Sequence, residues 1–190
     1  MGTKNSIRKE KLALRASLTP EEHEKKDHAI GKRVLELSCI KNADTILCYA
    51  GYQSEVSTDA LISAFLEEGK KVFLPRVDGE EMEFFRIHSL QDLVKGYKGI
   101  PEPSHTCEAM YSPFIAENAV MIMPGCAFSK EGFRIGYGKG YYDKYLDKYD
   151  MVERVALCYS LQLSDSIEPD AHDKKATCLI TEDEVIVCSR

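Results

Sequence analysis

The sequence predicts a three-layer α/β fold, in which a mainly parallel sheet is flanked by helices on both faces. Short apolar runs typical of buried strands alternate along the chain with segments of helical periodicity, and strands joined through helices pair in parallel. The predicted strands are apolar throughout, which is expected of a sheet covered on both sides. With 190 residues and no linker or internal repeat, residues 1–190 are expected to form one domain.

Two helices are predicted before the first strand. Residues 5–18 have helical spacing, and three apolar side chains lie near one face: Ile7, Leu14 and Leu18. Thr19 and Pro20 begin the second helix, because threonine caps helix starts and proline suits the first helical position. Glu22 completes a capping box with Thr19. The core-facing stripe of this helix consists of Ile30, Val34 and Leu37.

Seven short apolar segments are predicted strands. They lie at residues 45–50, 71–75, 82–87, 120–123, 154–158, 176–180 and 184–188. Residues 58–68 are predicted to form a helix that ends at Gly69, and residues 141–149 form another. Residues 89–94 are predicted as one short helix. Residues 96–118 have no periodicity and are predicted to be mostly loop.

The composition excludes several kinds of partner. The net charge is −6, whereas non-specific binding to nucleic acid or to an anionic membrane needs a basic surface. No apolar run approaches the ~20 residues of a membrane span, and the N-terminus lacks the apolar core of a signal peptide. A cytoplasmic location is therefore expected. The seven cysteines form no C-x-x-C pair, so neither a zinc site nor a disulfide framework is expected.

The most informative segment follows the predicted strand at 120–123. It leads to a loop of alternating glycines, Gly136-Tyr137-Gly138-Lys139-Gly140, that opens onto the helix at 141–149. Glycines let a ligand approach the backbone, and the free N–H groups of a helix start attract anions. Lys139 opposes the helix dipole, and a phosphate would compensate it. The spacing matches neither common phosphate-binding motif, so a plain glycine-rich turn stays open.

Side chains near this loop have both a functional and an ordinary interpretation. Arg134 suits a phosphate clamp or a surface ion pair. Asp143 lies in the first helical turn, where it favours the helix dipole or, beside a triphosphate, would bind magnesium. Tyr141 and Tyr142 are adjacent on the helix, so one is expected in the core while the other closes over a planar ligand.

The strand ends supply a further candidate. Ligands of α/β sheets bind at the carboxyl ends of strands, and the loops after Ala50, Pro75 and Met123 leave from such ends. Glu55 lies in the first of these loops. It is either solvated or an acceptor for the N–H groups of a heterocycle.

Two other pairs have an open interpretation. Lys4 and Arg8 share a face of the first helix, either as a solvated stripe or as a grip on phosphates from the far side of the cleft. His172 and Asp173 would suit an acid–base couple, but no serine or cysteine nucleophile motif accompanies them.

On these residues the chain resembles the 5-formyltetrahydrofolate cyclo-ligase family, also called 5,10-methenyltetrahydrofolate synthetases. The most specific likeness is the run GFRIGYGKGYYD at residues 132–143. Further segments support it by their order along nearly the whole chain: the basic helix with Lys4, Arg8 and Arg15, then Gln53-Ser54-Glu55, Leu74-Pro75-Arg76, Ile100-Pro101-Glu102-Pro103, His172-Asp173 and Thr181-Glu182.

The resemblance implies an ATP-dependent C–N ligase that converts 5-formyltetrahydrofolate to 5,10-methenyltetrahydrofolate and releases ADP and phosphate. In the family's mechanism ATP phosphorylates the formamide oxygen, and the N10 amine attacks the resulting N5-iminium phosphate. The implied partners are 5-formyltetrahydrofolate and ATP, with Mg²⁺ as cofactor and neither nucleic acid nor membrane. A monomer is expected.

The resemblance also implies a role for individual residues. ATP would be bound by Lys4, Arg8, Arg134, Ile135, Gly136, Tyr137, Gly138, Lys139, Gly140, Tyr141 and Tyr142. The catalytic residues would be Lys139, Arg134 and Tyr142, with Lys139 beside the transferred group. The folate would be bound by Ala50, Gln53, Glu55, Tyr141 and Tyr142. Glu55 would contact the pterin, and Asp143 would bind magnesium.

Two positions depart from the family's pattern. The family usually has Asp in place of Ser129, and it commonly has a further Asp, in some members a second magnesium ligand, in place of Thr177. Activity is nevertheless expected to survive.

Two other functions stay open. One is a sugar-phosphate isomerase-like or acyl-transfer protein that binds an anion without ATP, with a catalytic carboxylate or lysine in 96–118. The other is a non-catalytic folate- or nucleotide-binding module.

Overall fold

A seven-stranded sheet forms the centre of the fold, in a computed structural model that describes residues 3–110, 118–149 and 153–188. The strands are β1 (Thr45–Leu47), β2 (Lys71–Asp78), β3 (Glu81–Ile87), β4 (Leu93–Lys95), β5 (Pro101–Pro103), β6 (Ala119–Met123), β7 (Ala127–Phe128), β8 (Arg134–Ile135), β9 (Glu153–Leu157), β10 (Cys178–Ile180) and β11 (Val185–Val187). The helices are α1 (Lys4–Ala16), α2 (Pro20–Glu36), α3 (Ser38–Asn42), α4 (Asp59–Glu67) and α5 (Tyr141–Lys148). Short 3-10 helices lie at Leu90–Asp92, Tyr97–Gly99 and Ser160–Gln162.

The strand order across the large sheet is β11-β10-β9-β6-β1-β2-β3. The central strands from β10 to β2 pair in parallel, and the edge strands β3 and β11 pair antiparallel. Each predicted strand overlaps one strand of this sheet, so the prediction of a mainly parallel sheet is confirmed. Because the central strands are parallel, their carboxyl ends share one edge of the sheet, where ligands are expected.

Helices cover both faces of the sheet. One face packs against α2, α3 and α4, through strand residues that include Ile46, Val120, Ile122 and Val155. The other face packs against Tyr145 and Leu146 of α5, through Leu47, Met121, Met123 and Ala156. Neighbouring residues of a strand therefore enter different cores, which is why the strands are apolar throughout. Within the described ranges, no helix is long and apolar enough to cross a membrane.

The N-terminal helices match their predicted positions. The predicted capping box of α2 is present: Thr19 Oγ1 accepts from the Glu22 N–H at 3.2 Å, and Glu22 Oε2 accepts from the Thr19 N–H at 2.8 Å. The predicted apolar face of α1 is wrong at Leu14, which is 42% exposed, whereas Arg15 is 2% exposed. α1 lies beside the β7–β8 hairpin and a polar cleft, so a cation rather than a leucine faces inward there.

The prediction of one short helix over residues 89–94 is confirmed for a single 3-10 turn, Leu90–Asp92, and is wrong for residues 93 and 94, which belong to β4. Asp92 Oδ2 accepts from the N–H groups of His88 at 2.6 Å and Ser89 at 3.0 Å, which closes one 3-10 turn before the chain extends as β4. β4 pairs with β5, so residues 96–118, predicted to be mostly loop, contain a strand. A strand outside the large sheet tolerates Pro101 and Pro103. Residues 111–117 lie outside the described residues.

The β7–β8 hairpin precedes the glycine loop, and the hydrophobic periodicity of the sequence does not predict this hairpin. β7 and β8 pair antiparallel, with Ala127 opposite Ile135 and Phe128 opposite Arg134. Two-residue strands are too short to produce a detectable alternation. The hairpin matters because it aims Arg134 toward the start of α5.

Candidate active site

The glycine loop presents an uncapped helix start at the carboxyl edge of the sheet. Gly138 and Gly140 have φ of +95° and +66°, in the left-handed region that glycine adopts without strain. Gly140 is the N-cap of α5, and among the described residues no side-chain hydrogen bond caps the helix start. The first N–H groups of α5 are therefore available to an anion.

Arg134 lies beneath this helix start. Its side chain is 5% exposed, and its Nη2 donates to Asp143 Oδ1 at 2.9 Å. The guanidinium carbon lies 5.2 Å from the centre of the Tyr142 ring. The buried Nε has no hydrogen-bond partner among the described residues. A buried donor without an acceptor is costly, so this nitrogen is suited to an anionic ligand.

Asp143 has one oxygen committed and one free. Its Oδ1 accepts from Arg134 and, at 3.3 Å, from the Lys174 N–H, whereas Oδ2 accepts no hydrogen bond in the described chain. Asp173 is adjacent to Lys174 in the chain, so a second carboxylate lies in the loop that contacts Asp143. This donor set suits magnesium, which proteins hold with one or two carboxylates plus phosphate oxygens.

One side of α1 lines the glycine loop. Arg8 Nε donates to the Gly136 carbonyl at 2.7 Å, and Lys4 Nζ contacts Asp170 at 2.6 Å and Asp173 at 2.5 Å. Partial burial opposes the charge on Lys4, but the hydrogen bonds to both carboxylates raise its pKa overall. In Asp173, burial is likewise outweighed by the Lys4 ammonium, which lowers the pKa. Arg8 therefore faces the glycine loop, whereas Lys4 is ion-paired with the loop that contains Asp170 and Asp173.

Arg15 continues the same side of α1, and sequence reasoning did not assign it a role. It donates to Ser54 Oγ at 3.0 Å, to the Gly125 carbonyl at 3.1 Å and to the Tyr137 hydroxyl at 2.7 Å. A signal was present, because positions 4, 8 and 15 lie near one helical face. An arginine near a helix end is normally solvated, so burial was not expected.

Glu55 faces the glycine loop from the loop after β1. Its Oε1 accepts from the Tyr137 hydroxyl at 2.9 Å, and its Oε2 accepts from the Tyr52 N–H at 3.1 Å. Burial raises the pKa of Glu55, although these hydrogen bonds and the charge of Arg15 oppose the shift. The same loop begins at Ala50, which is buried, and turns at Gln53, which is exposed with φ of +54°.

The remaining loop residues differ in their surroundings. Lys139 is exposed and has no hydrogen bond or ion pair among the described residues. The two neighbouring tyrosines are half-buried and diverge, because the Tyr141 hydroxyl donates to the Gly79 carbonyl at 3.1 Å, whereas the Tyr142 ring faces Arg134. The structure thus brings Tyr142, rather than both rings side by side, against the buried guanidinium. Ile135 is buried at the entry to the loop.

The two departures from the family's pattern lie in different surroundings. Ser129 is buried in the β7–β8 turn, where its N–H donates to the Phe133 carbonyl at 2.8 Å. Thr177 Oγ1 donates to the Arg154 carbonyl at 3.1 Å and accepts from the Arg154 N–H at 3.0 Å. Arg154 lies at the start of β9, so Thr177 belongs to the amino ends of the strands. His172 is exposed, and Asp173 pairs with Lys4 rather than with it.

The chain is similar over most of its length to proteins of one family. The model of the 5-formyltetrahydrofolate cyclo-ligase family matches residues 1–182. The chain is 31% identical over 173 residues to a probable 5-formyltetrahydrofolate cyclo-ligase of Schizosaccharomyces pombe, covering 83% of this chain and 84% of that one. It is 30% identical over 209 residues to a mitochondrial 5-formyltetrahydrofolate cyclo-ligase of Arabidopsis thaliana. That match covers 96% of this chain and 74% of the Arabidopsis protein. The NMR structure of a 5,10-methenyltetrahydrofolate synthetase from Aquifex aeolicus matches with a TM-score of 0.85 at 31% identity, covering 98% and 93%.

Proposed function

The chain belongs to the 5-formyltetrahydrofolate cyclo-ligase family, and we propose that it converts 5-formyltetrahydrofolate to 5,10-methenyltetrahydrofolate with ATP, releasing ADP and phosphate. The observation that carries this proposal is the uncapped start of α5 over the buried Arg134, whose Nε has no partner in the described chain. Together with Lys139 and with Lys4 and Arg8 of α1, these groups supply the positive field that phosphoryl transfer needs. Glu55 stands opposite, as an acceptor for a heterocycle.

The chemistry proceeds in two steps. The formyl oxygen of the folate attacks the γ-phosphorus of ATP, and the bond to the ADP oxygen breaks, which leaves an N5-iminium phosphate. The N10 amine then attacks the iminium carbon. The bond from that carbon to the phosphate oxygen breaks, N10 loses its proton, and the five-membered ring closes. The protein contributes mainly by orienting two substrates and by stabilising phosphoryl charge.

The phosphates are assigned to the glycine loop and to α1. Residues 135–140 and the first N–H groups of α5 wrap the triphosphate, with Lys4 and Arg8 on its other side. Arg134 and Lys139 stabilise the charge that develops on the transferred group. The centre of the Tyr142 ring lies 5.2 Å from the guanidinium carbon of Arg134. This contact supports a place for the ring beside the transferred phosphoryl group.

The folate is assigned to the loop after β1. Glu55 accepts hydrogen bonds from the pterin N–H groups, while Ala50 and Gln53 line the pocket and Tyr141 borders it. Asp143 would hold Mg²⁺ through its uncommitted oxygen, with Asp173 as a second carboxylate. Bound there, the ion would neutralise phosphate charge.

Three general properties stay predictions. Residues 1–190 are proposed to act as one domain, since strands from residues 45 to 187 share one sheet. A monomer and a cytoplasmic location are proposed as well, although one similar protein is named as mitochondrial.

The direct test is the growth of the methenyl-folate absorbance band when the protein is mixed with 5-formyltetrahydrofolate, ATP and magnesium. Growth is expected only with all three present, and chelation of magnesium should stop it. A flat trace from folded protein would reject the ligase. Folate or ATP binding in the same sample would then favour the non-catalytic module, whereas binding of a sugar phosphate without ATP would favour the isomerase-like alternative.

A further inference from the structure

Arg15 is a buried cation that the proposed reaction does not use. It is 2% exposed, and no described carboxylate lies within ion-pair distance of it. Its partners are a hydroxyl, a carbonyl and a phenol, on Ser54, Gly125 and Tyr137. Burying a charge without a direct counter-ion opposes folding, so a purely structural role is a poor explanation for this residue.

The direction of the hydrogen bonds shows how Arg15 orients the Tyr137 hydroxyl. A guanidinium only donates, so the Tyr137 oxygen must accept from Arg15 Nη2 at 2.7 Å. The phenolic proton is then free to point at Glu55 Oε1, 2.9 Å away. The result is an ordered chain of donors from Arg15 through Tyr137 to Glu55.

The same chain joins parts of the molecule that are distant in sequence. Tyr137 belongs to the glycine loop, Glu55 to the loop after β1, and Arg15 to α1. Tyr137 is 55% exposed, so packing alone does not hold its side chain, and the hydroxyl contacts fix its position. Through this residue the loop assigned to the triphosphate touches the carboxylate assigned to the pterin.

We propose that Arg15 and Tyr137 are positioning residues for the folate: Arg15 orients the Tyr137 hydroxyl, which fixes Glu55 toward the pterin and couples the nucleotide loop to the folate pocket. This proposal rests on the proposed function, because it takes Glu55 as the pterin acceptor. Each carboxylate oxygen of Glu55 has a second lone-pair direction left for a ligand N–H. Nucleotide that orders the glycine loop would thereby order Glu55 and favour folate binding.

The first test is Tyr137→Phe, which removes only the hydroxyl. We expect KM and the equilibrium Kd for 5-formyltetrahydrofolate to rise about tenfold, because a hydrogen bond to a charged group is lost. Because Tyr137 also belongs to the loop assigned to the triphosphate, the decisive readout is the folate Kd measured without nucleotide, which isolates the effect on Glu55 from any effect on turnover. A non-hydrolysable ATP analogue with magnesium should tighten folate binding to the wild type but not to the variant. Tyr149→Phe, which removes a phenol from the far end of α5, is the matched control.

The second test asks whether Arg15 acts through Tyr137. Arg15→Lys should weaken folate binding in the wild-type background and have little further effect in Tyr137→Phe, whereas independent effects would multiply. Unchanged folate affinity in Tyr137→Phe overturns the proposal, as does tighter binding, which would make the hydroxyl a competitor of the pterin. The titrations need no turnover. A wild type that binds folate without forming the methenyl product therefore rejects the proposed function while still testing this one, and a wild type that binds no folate rejects both.

Discussion

The role proposed for Lys139 depends on a bound ligand. It stands between Gly138 and Gly140 at an exposed tip, with no polar partner in the described residues. Arg134 is different, since it holds Asp143 and is buried in the hairpin. A variant of Lys139 therefore separates catalysis from stability more cleanly than a variant of Arg134.

For Lys139→Ala we expect kcat to fall on the order of 10²- to 10³-fold, the usual effect of removing one group that stabilises transition-state charge. Thermal stability should not change. The measurement is the initial rate of methenyl-folate formation at saturating substrates. Lys144→Ala, one turn along α5, is the matched control, and an unchanged rate in Lys139→Ala would remove this residue from the mechanism.

For Glu55→Gln we expect KM for 5-formyltetrahydrofolate to rise on the order of 10- to 100-fold, because hydrogen bonds to a carboxylate are stronger than those to an amide. KM for ATP should change far less. Steady-state kinetics in each substrate measure both constants, with the exposed Glu24→Gln as control. An equal rise in KM for 5-formyltetrahydrofolate and for ATP would reject the assignment of Glu55 to the pterin.

The same carboxylate predicts a pH dependence. Burial raises the pKa of Glu55, so it takes up a proton at a higher pH than an ordinary glutamate. The pterin needs the ionised form, so KM for the folate should rise as pH falls through this raised pKa. The KM–pH profile of the wild type measures it. Glu55→Gln should flatten the profile, and a dependence that survives in that variant would assign it to another group.

At the scale of elements, the β7–β8 hairpin positions Arg134 in the candidate site. It carries Arg134 to α5 and is held from behind by the Ala176 N–H, which donates to the Gly132 carbonyl at 2.8 Å. Gly132 has φ of +96°, and a Cβ there would lie 2.4 Å from the Ala176 carbonyl oxygen. A side chain at this position would meet backbone, which cannot move aside cheaply.

Gly132→Ala should therefore lower the free energy of unfolding by about 2–4 kcal/mol. Gly31→Ala is the matched control, since a Cβ in the middle of α2 comes no closer than 4.0 Å to Leu61. Gly31→Ala should raise the free energy of unfolding by about 0.5–1 kcal/mol, because alanine has a higher helix propensity than glycine. Urea unfolding followed by circular dichroism measures both. A loss in Gly31→Ala as large as in Gly132→Ala would contradict this account of the hairpin.

At the scale of the whole molecule, the charge is distributed unevenly. The chain carries a net charge of −6, yet α1 and the glycine loop bring Arg8, Arg15 and Lys139 to one cleft, where none of the three has an ion pair among the described residues. Lys4 and Arg134 lie there too, paired with carboxylates. A local positive field on an acidic protein favours small polyanions over nucleic acid, whose backbone needs a wider basic surface.

ATP with magnesium should therefore raise the melting temperature. At a concentration of 100 Kd the gain is about 2.7 kcal/mol, or roughly 5–10 °C for a chain of this length. Thermal unfolding with ATP, pyrophosphate or adenosine separates the contributions. Pyrophosphate should retain part of the shift and adenosine little. An equal shift from adenosine would mean that the base, rather than the phosphates, supplies the affinity.

The sequence by itself determined the fold class and the family. Apolar strands, the Thr19–Glu22 capping box and the glycine loop are local patterns, and local patterns depend on residues close together in the chain. Strands too short to alternate, such as β7 and β8, left no such pattern. The site roles of Lys139, Glu55 and Asp143 stay predictions that the proposed variants test.

Only the tertiary structure decided which distant residues share the cleft. Leu14 and Arg15 are neighbours on α1. Helical spacing puts Arg15 on the face of Lys4 and Arg8, but only the loops packed against that face decided that the arginine, and not the leucine, is buried. The bridge from Arg15 through Tyr137 to Glu55 spans three segments, and no period in the sequence links them. The physical reason is that a buried polar group must find its partners wherever the packed chain supplies them, at any separation in sequence.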